Sequence, residues 1–420
     1  MQRIYLLCLA FCLLFVPDTV AKAAVLSCSS STTLDELVTC IRDQMPGNGS
    51  NGFVIPNSSQ QTDWRKVVRQ MLQGSCNFPL PASLAGIMQM RTFKDTGNGK
   101  DYCLFMEVAD ANNNGVVDRG WGTFVVDPSA ERELSHQAPH PMYDSTTENE
   151  AVGVFRDTNS RSYLMCGAHR NANSQTSTCQ SDSKVADCAH NTANMFQPTN
   201  EELLAHYGSL PWNVIQWHGM AAATCSTVEV YLTHGMNQEP GSGDRILALK
   251  ANLLLYHPTW KVEVPGTGAC SLNATTNVQG RLLNGVPAGS VCNTNAVSDS
   301  GVFIHNEQDP LFRAVADWVP PIQDTWPLGP QVPPLAPEDL TATPGKKRIT
   351  LSWDASSGAS SYRVKRSTMS GGPYTVIGSP TGTVFINTGL RSGSTYYYVV
   401  SGVNAAGESP NSDQASATAK

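Results

Sequence analysis

The proline-rich segment Val319–Pro337 constrains the fold of this chain more than any other sequence feature. It carries seven prolines in VPPIQDTWPLGPQVPPLAP, and each proline removes a backbone donor and fixes φ. The segment is therefore expected to form neither a regular helix nor a central strand, and to act as a semi-rigid spacer. All nine histidines and every cysteine precede it. We predict a domain over residues 24–324, a proline-rich linker over 325–333 and a second domain over 334–420.

Residues 1–23 have the pattern of a secretory signal peptide. Arg3 precedes the apolar run Ile4–Val16, and Ala21-Lys22-Ala23 forms a small-x-small cleavage site. No stretch approaches the roughly 20 apolar residues of a membrane span, so no membrane anchor is predicted. With 28 basic and 35 acidic residues the net charge is −7, which argues against a nucleic-acid partner. The mature protein is predicted to be secreted.

Ten of the 12 cysteines remain after the signal peptide is removed. An even number of cysteines in an exported chain predicts up to five structural disulfides. The spacing leaves their connectivity open, although Cys166 with either Cys179 or Cys188 would close a local loop. No C-x-x-C pair occurs, so neither a cysteine zinc site nor a thioredoxin-type motif is supported.

The C-terminal part alternates apolar and polar residues in short runs such as Ile349–Trp353, Tyr362–Val364 and Tyr396–Val400. This pattern predicts an antiparallel all-β sandwich. The segment resembles a fibronectin type III domain, with Tyr396 similar to the tyrosine-corner residue of that family. The resemblance implies a spacer or a module for docking to a surface.

The N-terminal domain mixes helix and strand patterns. Helices are predicted after the capping residues Ser31–Glu36 and at Trp64–Leu72, Glu148–Phe155 and Asp244–Leu255. Strands are predicted at Leu104–Val108, Thr123–Val126, Ser162–Gly167, Trp212–Trp217, Ser226–Leu232 and Gly301–Asn306. Their alternation predicts an α/β fold with a mixed sheet.

The turn-rich run Asp110–Asp118 allows two interpretations. Asp110, Asn112, Asn114 and Asp118 could supply calcium ligands, but Trp121 stands where such a loop places a bidentate Glu. We favour a hairpin with an Asn-Gly turn, and leave calcium binding open.

Four histidines lie at predicted strand ends or in the adjoining loops, where α/β proteins gather ligands. His140 is followed by Asp144, Glu148 and Glu150. Imidazole nitrogen and carboxylate oxygen are both zinc ligands, so this loop could supply half of a tetrahedral site. The two glutamates could equally complement a helix dipole. The other three histidines stand in the motifs Gly167-Ala-His169-Arg170, Asp187-Cys-Ala-His190 and Trp217-His218-Gly219.

The last element, Phe303–Arg313, carries Glu307 at the end of an apolar strand. A partly buried carboxylate there would have a raised pKa, which suits a general base. Arg313 could hold an anionic substrate or stabilise oxyanion charge. The alternative is a Glu307–Arg313 ion pair.

In order and type these residues resemble the zinc-carboxypeptidase-like amidohydrolases, in the branch of poly-γ-glutamate hydrolases and N-formylglutamate amidohydrolases. The resemblance implies a carboxypeptidase-like catalytic domain with His140, Asp144 or Glu150, and His218 as zinc ligands and Glu307 as the base. His140 is followed by Pro where the family has Gly, and cysteine-rich insertions surround Cys166–Cys188. We assign His169, Arg170, His190 and Arg313 to substrate binding, and the His169-Arg170 pair stays open as a replacement metal ligand.

We therefore predict a secreted zinc-dependent hydrolase that cleaves an amide or peptide-like bond, in a small or polymeric substrate, with metal-activated water. A non-catalytic extracellular adhesin with structural disulfides is the first alternative. A serine esterase or depolymerase is the second, although no G-x-S-x-G elbow occurs. The substrate, the identity of the carboxylate ligand and the oligomeric state stay open.

Overall fold

A computed structural model describes residues 24–268, 270–328, 333–356, 358–359, 361–404 and 407–420. The helices are α1 (Leu34–Asp43), α2 (Ser58–Leu72), α3 (Thr147–Asp157), α4 (Phe196–Tyr207), α5 (Arg245–Tyr256), α6 (Val278–Leu283) and α7 (Val315–Thr325). The N-terminal strands are β1 (Ala24–Val25), β2 (Met88–Lys94), β3 (Asp101–Glu107), β4 (Ala109–Asp110), β5 (Thr123–Val126), β6 (Arg132–Ala138), β7 (Ser160–Met165), β8 (Asn213–Gly219), β9 (Val230–Thr233), β10 (Val262–Glu263) and β11 (Phe303–Gln308). The predicted signal peptide lies outside the described residues. None of the described helices is both long and apolar enough to cross a bilayer.

The N-terminal part is built on a nine-stranded sheet with the order β10-β9-β11-β8-β6-β7-β5-β3-β2. Its centre is parallel, because β6 pairs in parallel with both β7 and β8, and β8 does so with β11. The flanking strands β9, β5, β3 and β2 join through antiparallel pairs. The predicted mixed-sheet α/β fold is therefore confirmed. The carboxyl ends of the four parallel strands lie along one edge of the sheet.

Helices cover both faces of this sheet. One apolar cluster contains Leu34 of α1, Val152 of α3, Leu249 of α5 and Trp318 of α7. A separate cluster contains Trp64 of α2 and Leu203 of α4. The chain crosses from β6 through α3 to β7, and returns through α4 to β8 on the other side of β6. This reversal of direction places a crevice at the carboxyl ends of the central strands, where α/β folds bind ligands.

The predicted start of α1 is confirmed in detail. Thr33 is the N-cap, its hydroxyl accepts from Glu36 N–H, and the Glu36 side chain accepts from Thr33 N–H. This reciprocal capping box satisfies donors that the first turn leaves unpaired. The sequence did not predict strands β2 and β6 or helices α4 and α6, since their apolar residues do not recur at the regular spacing of a strand or a helix.

The expectation that no helix forms within Val319–Pro337 is wrong. Helix α7 runs to Thr325 with Pro320 and Pro321 inside it, so the predicted linker begins within a helix. Pro321 has no N–H for the carbonyl of Asp317, but His257 Nε2 lies 2.9 Å from that oxygen and donates to it. Burial of Trp318 and Ile322 against the sheet holds the helix in place. Residues 329–332 of the predicted linker lie outside the described residues.

The C-terminal strands are β12 (Thr341–Gly345), β13 (Arg348–Ser352), β14 (Ser361–Ser367), β15 (Thr375–Gly378), β16 (Val384–Thr388), β17 (Thr395–Asn404), β18 (Gly407–Glu408) and β19 (Ala415–Thr418). They form two antiparallel sheets, β12-β13-β16 and β15-β14-β17-β18, with β19 paired to β17. Trp353 and Tyr362 pack between them with ring centroids 5.4 Å apart. The Tyr396 hydroxyl accepts from Arg391 N–H at 3.2 Å, the contact that defines a tyrosine corner.

The ten cysteines of the described residues form five disulfides, as predicted. The pairs are Cys28–Cys40, Cys76–Cys103, Cys166–Cys188, Cys179–Cys292 and Cys225–Cys270. Of the two local partners considered for Cys166, the structure selects Cys188. This bridge fixes the loop after β7 close to the carboxyl edge of the sheet.

His136 supplies a pH-dependent part of the stability of the N-terminal domain. Trp217 Nε1 donates to its Nδ1 at 3.2 Å and its Nε2 lies 3.0 Å from Ser160 Oγ, so the buried ring is neutral. Burial lowers the pKa of His136 to about 3, whereas an unfolded histidine titrates near 6.5. Between these values the unfolded state binds more protons, so the free energy of unfolding falls as the pH decreases.

We expect this histidine alone to cost about 2 kcal/mol of stability between pH 7 and pH 5. His136→Gln, which cannot be protonated but can keep both contacts, should lose less stability over the same range in urea unfolding. An equally steep pH dependence in the variant would contradict this assignment.

Candidate active site

Four side chains of the sequence prediction meet at the carboxyl edge of the parallel strands. His140 follows β6, His218 lies in β8 and Glu307 lies in β11, while Asp144 follows in the loop after β6. All four line a cleft of about 340 Å³, within the usual range for a ligand site. Residues 271–277 also line this cleft.

His140, Asp144 and His218 form a compact group of potential metal ligands. Asp144 Oδ2 lies 3.1 Å from His140 Nδ1 and 3.4 Å from His218 Nδ1. One ligand atom from each of the three residues lies within 4.8 Å of the others. All three side chains are buried. Two imidazoles and one carboxylate are a common zinc ligand set, one that leaves a fourth position open in catalytic sites.

Both histidines are held through the ring nitrogen that faces away from Asp144. His140 Nε2 lies 3.0 Å from Asp187 Oδ1, and His218 Nε2 lies 3.4 Å from Gln216 Oε1. Asn277 Nδ2 in turn donates to Gln216 Oε1 at 2.7 Å. Metal-binding histidines are usually oriented by such contacts to the second nitrogen. The contacts around the three residues therefore fit a metal centre, as do the three potential ligand side chains themselves.

Asp187 joins the metal-ligand group to the predicted substrate-binding residues. His190 Nδ1 lies 3.0 Å from Asp187 Oδ1, and Arg170 forms an ion pair with the other carboxylate oxygen. Arg170 also lies over the ring of Tyr143, 4.9 Å from its centroid. Since Cys188 follows Asp187, the Cys166–Cys188 disulfide fixes the position of this carboxylate.

The charges of the group are strongly coupled. Burial disfavours a charged His140, but the carboxylates of Asp187 and Asp144 outweigh burial and raise its pKa to about 9. Although burial opposes ionisation of Asp144 and Asp187, interaction with His140 holds the pKa of each carboxyl below its usual range. Burial lowers the pKa of His218 to about 4, so its imidazole is neutral and can act as a ligand.

Glu307 faces the same cleft from β11. Its carboxylate lies 3.6 Å from His305 Nε2, and one ligand atom each of Glu307, His305 and His218 lies within 4.8 Å of the others. Burial, followed by repulsion from Asp144, raises the pKa of Glu307 to about 8, the direction expected for a general base at neutral pH.

The structure places Glu150, a predicted alternative metal ligand, away from the cleft. Its buried carboxylate accepts from Gln308 Nε2, and burial raises its pKa well above the usual value. In the described part of the chain Glu150 belongs to none of the potential metal groups. The reason is the helix, since Glu150 lies in the first turn of α3 and its carboxylate contacts Gln308 of β11 instead of His140.

Two of the predicted substrate-binding residues also lie outside the cleft lining. His169 packs its ring against Tyr143 at 5.5 Å and accepts from Asn171 N–H. Arg313 is buried, and its guanidinium donates to the backbone carbonyls of Ser145 and Gln308. The described residues show no Glu307–Arg313 ion pair. Arg170 and His190, by contrast, do line the cleft.

Arg313 contacts the chain neighbours of three site residues. Ser145 follows Asp144, and Gln308 follows Glu307. Gly219 follows His218 and lies so close to Arg313 that a Cβ there would be 2.2 Å from Nη2. Arg313 is therefore positioned to hold three strand or loop ends together, although its own side chain does not line the cleft.

The run Asp110–Asp118 forms a turn closed by its own side chains. The Asp110 carboxylate accepts from the N–H groups of Asn114 and Gly115, and Asp118 accepts from Ala111 N–H. Strands β3 and β5 pair antiparallel on either side, as the hairpin interpretation predicts. Calcium binding by this run stays untested.

Sequence reasoning missed Asp187, His305 and Tyr143 as site residues. His305 could have been found, because residues two apart on a strand share a face and Glu307 was already assigned. Asp187 stands three residues before His190, but only the fold shows that it contacts His140. No pattern in the sequence indicated a role for Tyr143.

Comparison with known proteins identifies the C-terminal domain. Residues 335–418 match the fibronectin type III domain family, so that prediction is confirmed. A Fn3-like protein from Clostridium thermocellum is 41% identical over 21% of this chain and 96% of its own, with a TM-score of 0.20. An amylopullulanase from Thermoanaerobacterium saccharolyticum is 40% identical over 75 residues, which are 18% of this chain and 6% of that protein. A second amylopullulanase, from Thermoanaerobacterium thermosulfurigenes, is 37% identical over 18% of this chain and 4% of its own length.

The chain thus spans only a small part of the length of these curated relatives. It combines an α/β domain, which carries the cleft, with a fibronectin type III domain. These matches assign no family to the α/β domain.

Proposed function

We propose that the N-terminal domain is a secreted zinc-dependent hydrolase that cleaves an amide or peptide-like bond, in the manner of the zinc-carboxypeptidase-like amidohydrolases. The observation that carries the proposal is the convergence of His140, Asp144 and His218 within 4.8 Å in a cleft that also contains Glu307. A bound zinc ion would supply Lewis-acid activation of water and of the substrate carbonyl. His140, Asp144 and His218 would hold it.

The other catalytic roles belong to side chains of the protein. Glu307 accepts the proton of the attacking water and returns it to the leaving amine. Arg170 lies at the cleft wall with a guanidinium that can stabilise developing negative charge. Asp187 and Gln216 fix the orientation of the two histidine rings. These side chains come from the central strands β8 and β11 or from the disulfide-held loop after β7.

The fibronectin type III domain supports a role in docking to a surface, separate from the hydrolysis in the cleft. The name amylopullulanase belongs to proteins that match less than a fifth of this chain, and it does not support a starch substrate for the α/β domain. A serine hydrolase is disfavoured, because in the described part of the chain the hydrogen bond between a serine hydroxyl and a histidine ring is that of buried Ser160 with His136. The other nitrogen of the His136 ring, Nδ1, accepts from Trp217 Nε1 and not from a carboxylic acid, so no carboxylate orients this histidine.

The metal content of the purified mature protein tests the proposal. We expect about one zinc per chain in the wild type, measured by mass spectrometry of metals, and loss of zinc in both His140→Ala and His218→Ala. His206→Ala is the matched control, because this histidine lies at the end of α4 and packs on Tyr207, remote from the cleft.

A folded, oxidised wild type that binds no zinc on reconstitution would overturn the hydrolase and favour the non-catalytic binding protein. Zinc retained in His140→Ala and His218→Ala, but lost in His234→Ala, would place the metal at the separate group of His234, Asp244 and Asp299. Circular dichroism of each variant establishes that loss of zinc is not loss of fold.

A further inference from the structure

One end of the fibronectin type III sandwich carries a group of exposed basic side chains. Three chain segments meet there: the β12–β13 turn with the first residue of β13, the loop between β16 and β17, and the residues after β19. Lys347 N–H donates to the carbonyl of Lys420 at 2.8 Å, and Leu390 N–H donates to the carbonyl of Lys347 at 3.0 Å. The exposed basic residues of these segments, which we call the basic end, are Lys346, Lys347, Arg348, Arg391 and Lys420.

Three of the five acidic residues of the domain lie at the opposite end of the sandwich. Glu338 and Asp339 precede β12, and Asp354 follows β13. Asp354 N–H donates to the carbonyl of Glu338 at 3.0 Å, so these acids lie together. In the β12–β13 hairpin they are next to the pair of Thr341 with Ser352, which is the end away from the turn.

The other two acidic residues also lie away from the basic end. Glu408 belongs to β18, which pairs with the last residues of β17, and its carboxylate forms ion pairs with Arg363 and Lys365 at 2.6 Å. Asp413 follows Ser412, whose N–H donates to the carbonyl of Val400 in the middle of β17. Within the described part of the chain, no side chain of the basic end forms an ion pair or a hydrogen bond.

The chain enters this domain far from the basic end. Pro334 packs against Gly402, since a Cβ on that glycine would lie 3.1 Å from Pro334 Cβ. Thr395, which begins β17 just after the loop of the basic end, is seven residues before Gly402, or roughly 24 Å at the rise of a strand. The basic end is therefore remote from the connection to the α/β domain and open to a partner.

The composition of the basic end indicates the chemistry of that partner. Each guanidinium of Arg348 and Arg391 can pair with both oxygens of a carboxylate, and the lysines add compact positive charges. The three segments contain none of the exposed large apolar side chains of the described residues, whereas surfaces that lie on bilayers usually insert such side chains. The net charge of −7 disfavours a nucleic acid. A hydrophilic polymer that carries carboxylates fits these features best.

We propose that the basic end docks the protein to an acidic polysaccharide, with uronic-acid carboxylates of the polymer paired to its lysines and arginines. This inference rests on the docking role proposed for the fibronectin type III domain and adds the partner. It requires neither zinc nor hydrolysis. Because the partner binds at the end away from the linker, the cleft of the α/β domain stays open while the protein is docked.

Binding of sugar oligomers to the full chain tests the proposal. The probes are a dye-labelled oligomer of galacturonic acid and the matching neutral oligomer of galactose. Fluorescence anisotropy gives the affinity of each at about 50 mM and about 200 mM NaCl, a range over which binding to a polyanion responds strongly to salt. The first variant removes three cations of the hairpin together, by Lys346→Gln, Lys347→Gln and Arg348→Gln.

A second variant and a matched control separate the basic end from overall charge and from folding. The second variant combines Arg391→Gln with Lys420→Gln, which lie in the other two segments, so it keeps the test valid if the first does not fold. The control removes three positive charges from lysines of the α/β domain whose side chains are more than half exposed. These substitutions are Lys66→Gln, Lys94→Gln and Lys261→Gln. Circular dichroism establishes that each variant is folded.

We expect the wild type to bind the acidic oligomer and not the neutral one, with affinity about tenfold or more weaker at the higher salt concentration. The first variant should lose about 3- to 100-fold in affinity, because each exposed ion pair changes affinity by about 1.4- to 5-fold. The second variant should lose less, since it removes two cations. The control should change the affinity far less than either.

The remaining outcomes overturn the proposal. Equal losses in the first variant and the control would show a response to net charge and not to the basic end. Equal binding of the neutral oligomer, or no binding of the acidic one, would remove the polysaccharide as partner. Tighter binding of anionic phospholipid vesicles or of duplex DNA, weakened in the first variant, would assign the basic end to that partner instead. Because zinc-free protein gives the same readout, none of these outcomes bears on the hydrolase.

Discussion

Glu307→Gln should lower turnover by about 10²–10⁴-fold, the usual contribution of a general base, while the zinc content stays that of the wild type. Glutamine has nearly the same shape as glutamate, so the strand end keeps its packing. Its amide cannot accept a proton from water, so only the proton-transfer role is removed. The measurement is kcat on a cleaved amide substrate together with the zinc content of the same preparation.

The matched control is Glu131→Gln. Glu131 is exposed, and its carboxylate accepts from Asn159 at the opposite end of the sheet, so both readouts should be unchanged. Turnover near the wild-type value in Glu307→Gln would remove this residue as the base. Loss of zinc in that variant would instead make Glu307 a ligand, through the group it forms with His218 and His305.

The parts of the fold that sequence predicted are those in which local chemistry decides the structure. The capping box at Thr33 and Glu36 depends only on residues three apart, and it forms as expected. The helix at Glu148–Phe155 and the strand Thr123–Val126 likewise follow from local apolar patterns. In contrast, α7 passes through Pro320 and Pro321 because His257, far away in the chain, satisfies a carbonyl that Pro321 leaves unpaired.

The same distinction applies to the site. His140 was predicted from the carboxylates that follow it, whereas His218 and Glu307 were predicted because each stands at the end of a predicted strand, and parallel neighbours bring strand ends together. Glu150 was a reasonable ligand by spacing, but helix α3 begins at Thr147 and turns its side chain toward Gln308. Asp187 was missed as a site residue because its contact with His140 spans the cysteine-rich insertion, and the choice of Cys188 as partner of Cys166 could not be read from spacing.

Arg313 shows most clearly what sequence could not reveal. Its distance from Glu307 suggested an ion pair or a contact with substrate, yet its guanidinium donates to Ser145 and Gln308 carbonyls and packs on Gly219. We therefore expect Arg313→Met to displace Asp144, His218 and Glu307 together. Zinc affinity should fall about 10–100-fold, as for loss of an outer contact to metal ligands, and turnover should fall about 10²-fold from misplacement of the reacting groups.

Arg132→Met is the control that separates positioning from stability. Arg132 is also buried and also donates to two backbone carbonyls, those of Trp326 and Thr158, but at the amino end of β6. Each variant removes a donor from two buried carbonyls, although the Gln308 carbonyl still accepts from Met220 N–H in Arg313→Met. A buried acceptor left unpaired costs about 1–3 kcal/mol, so urea unfolding should show a loss of stability in both variants. Only Arg313→Met should also lose zinc affinity and turnover, and Arg313→Lys should recover part of both because it keeps one charged donor. Equal loss of zinc in the Arg132 and Arg313 variants would show that Arg313 stabilises the fold in general and does not position the site.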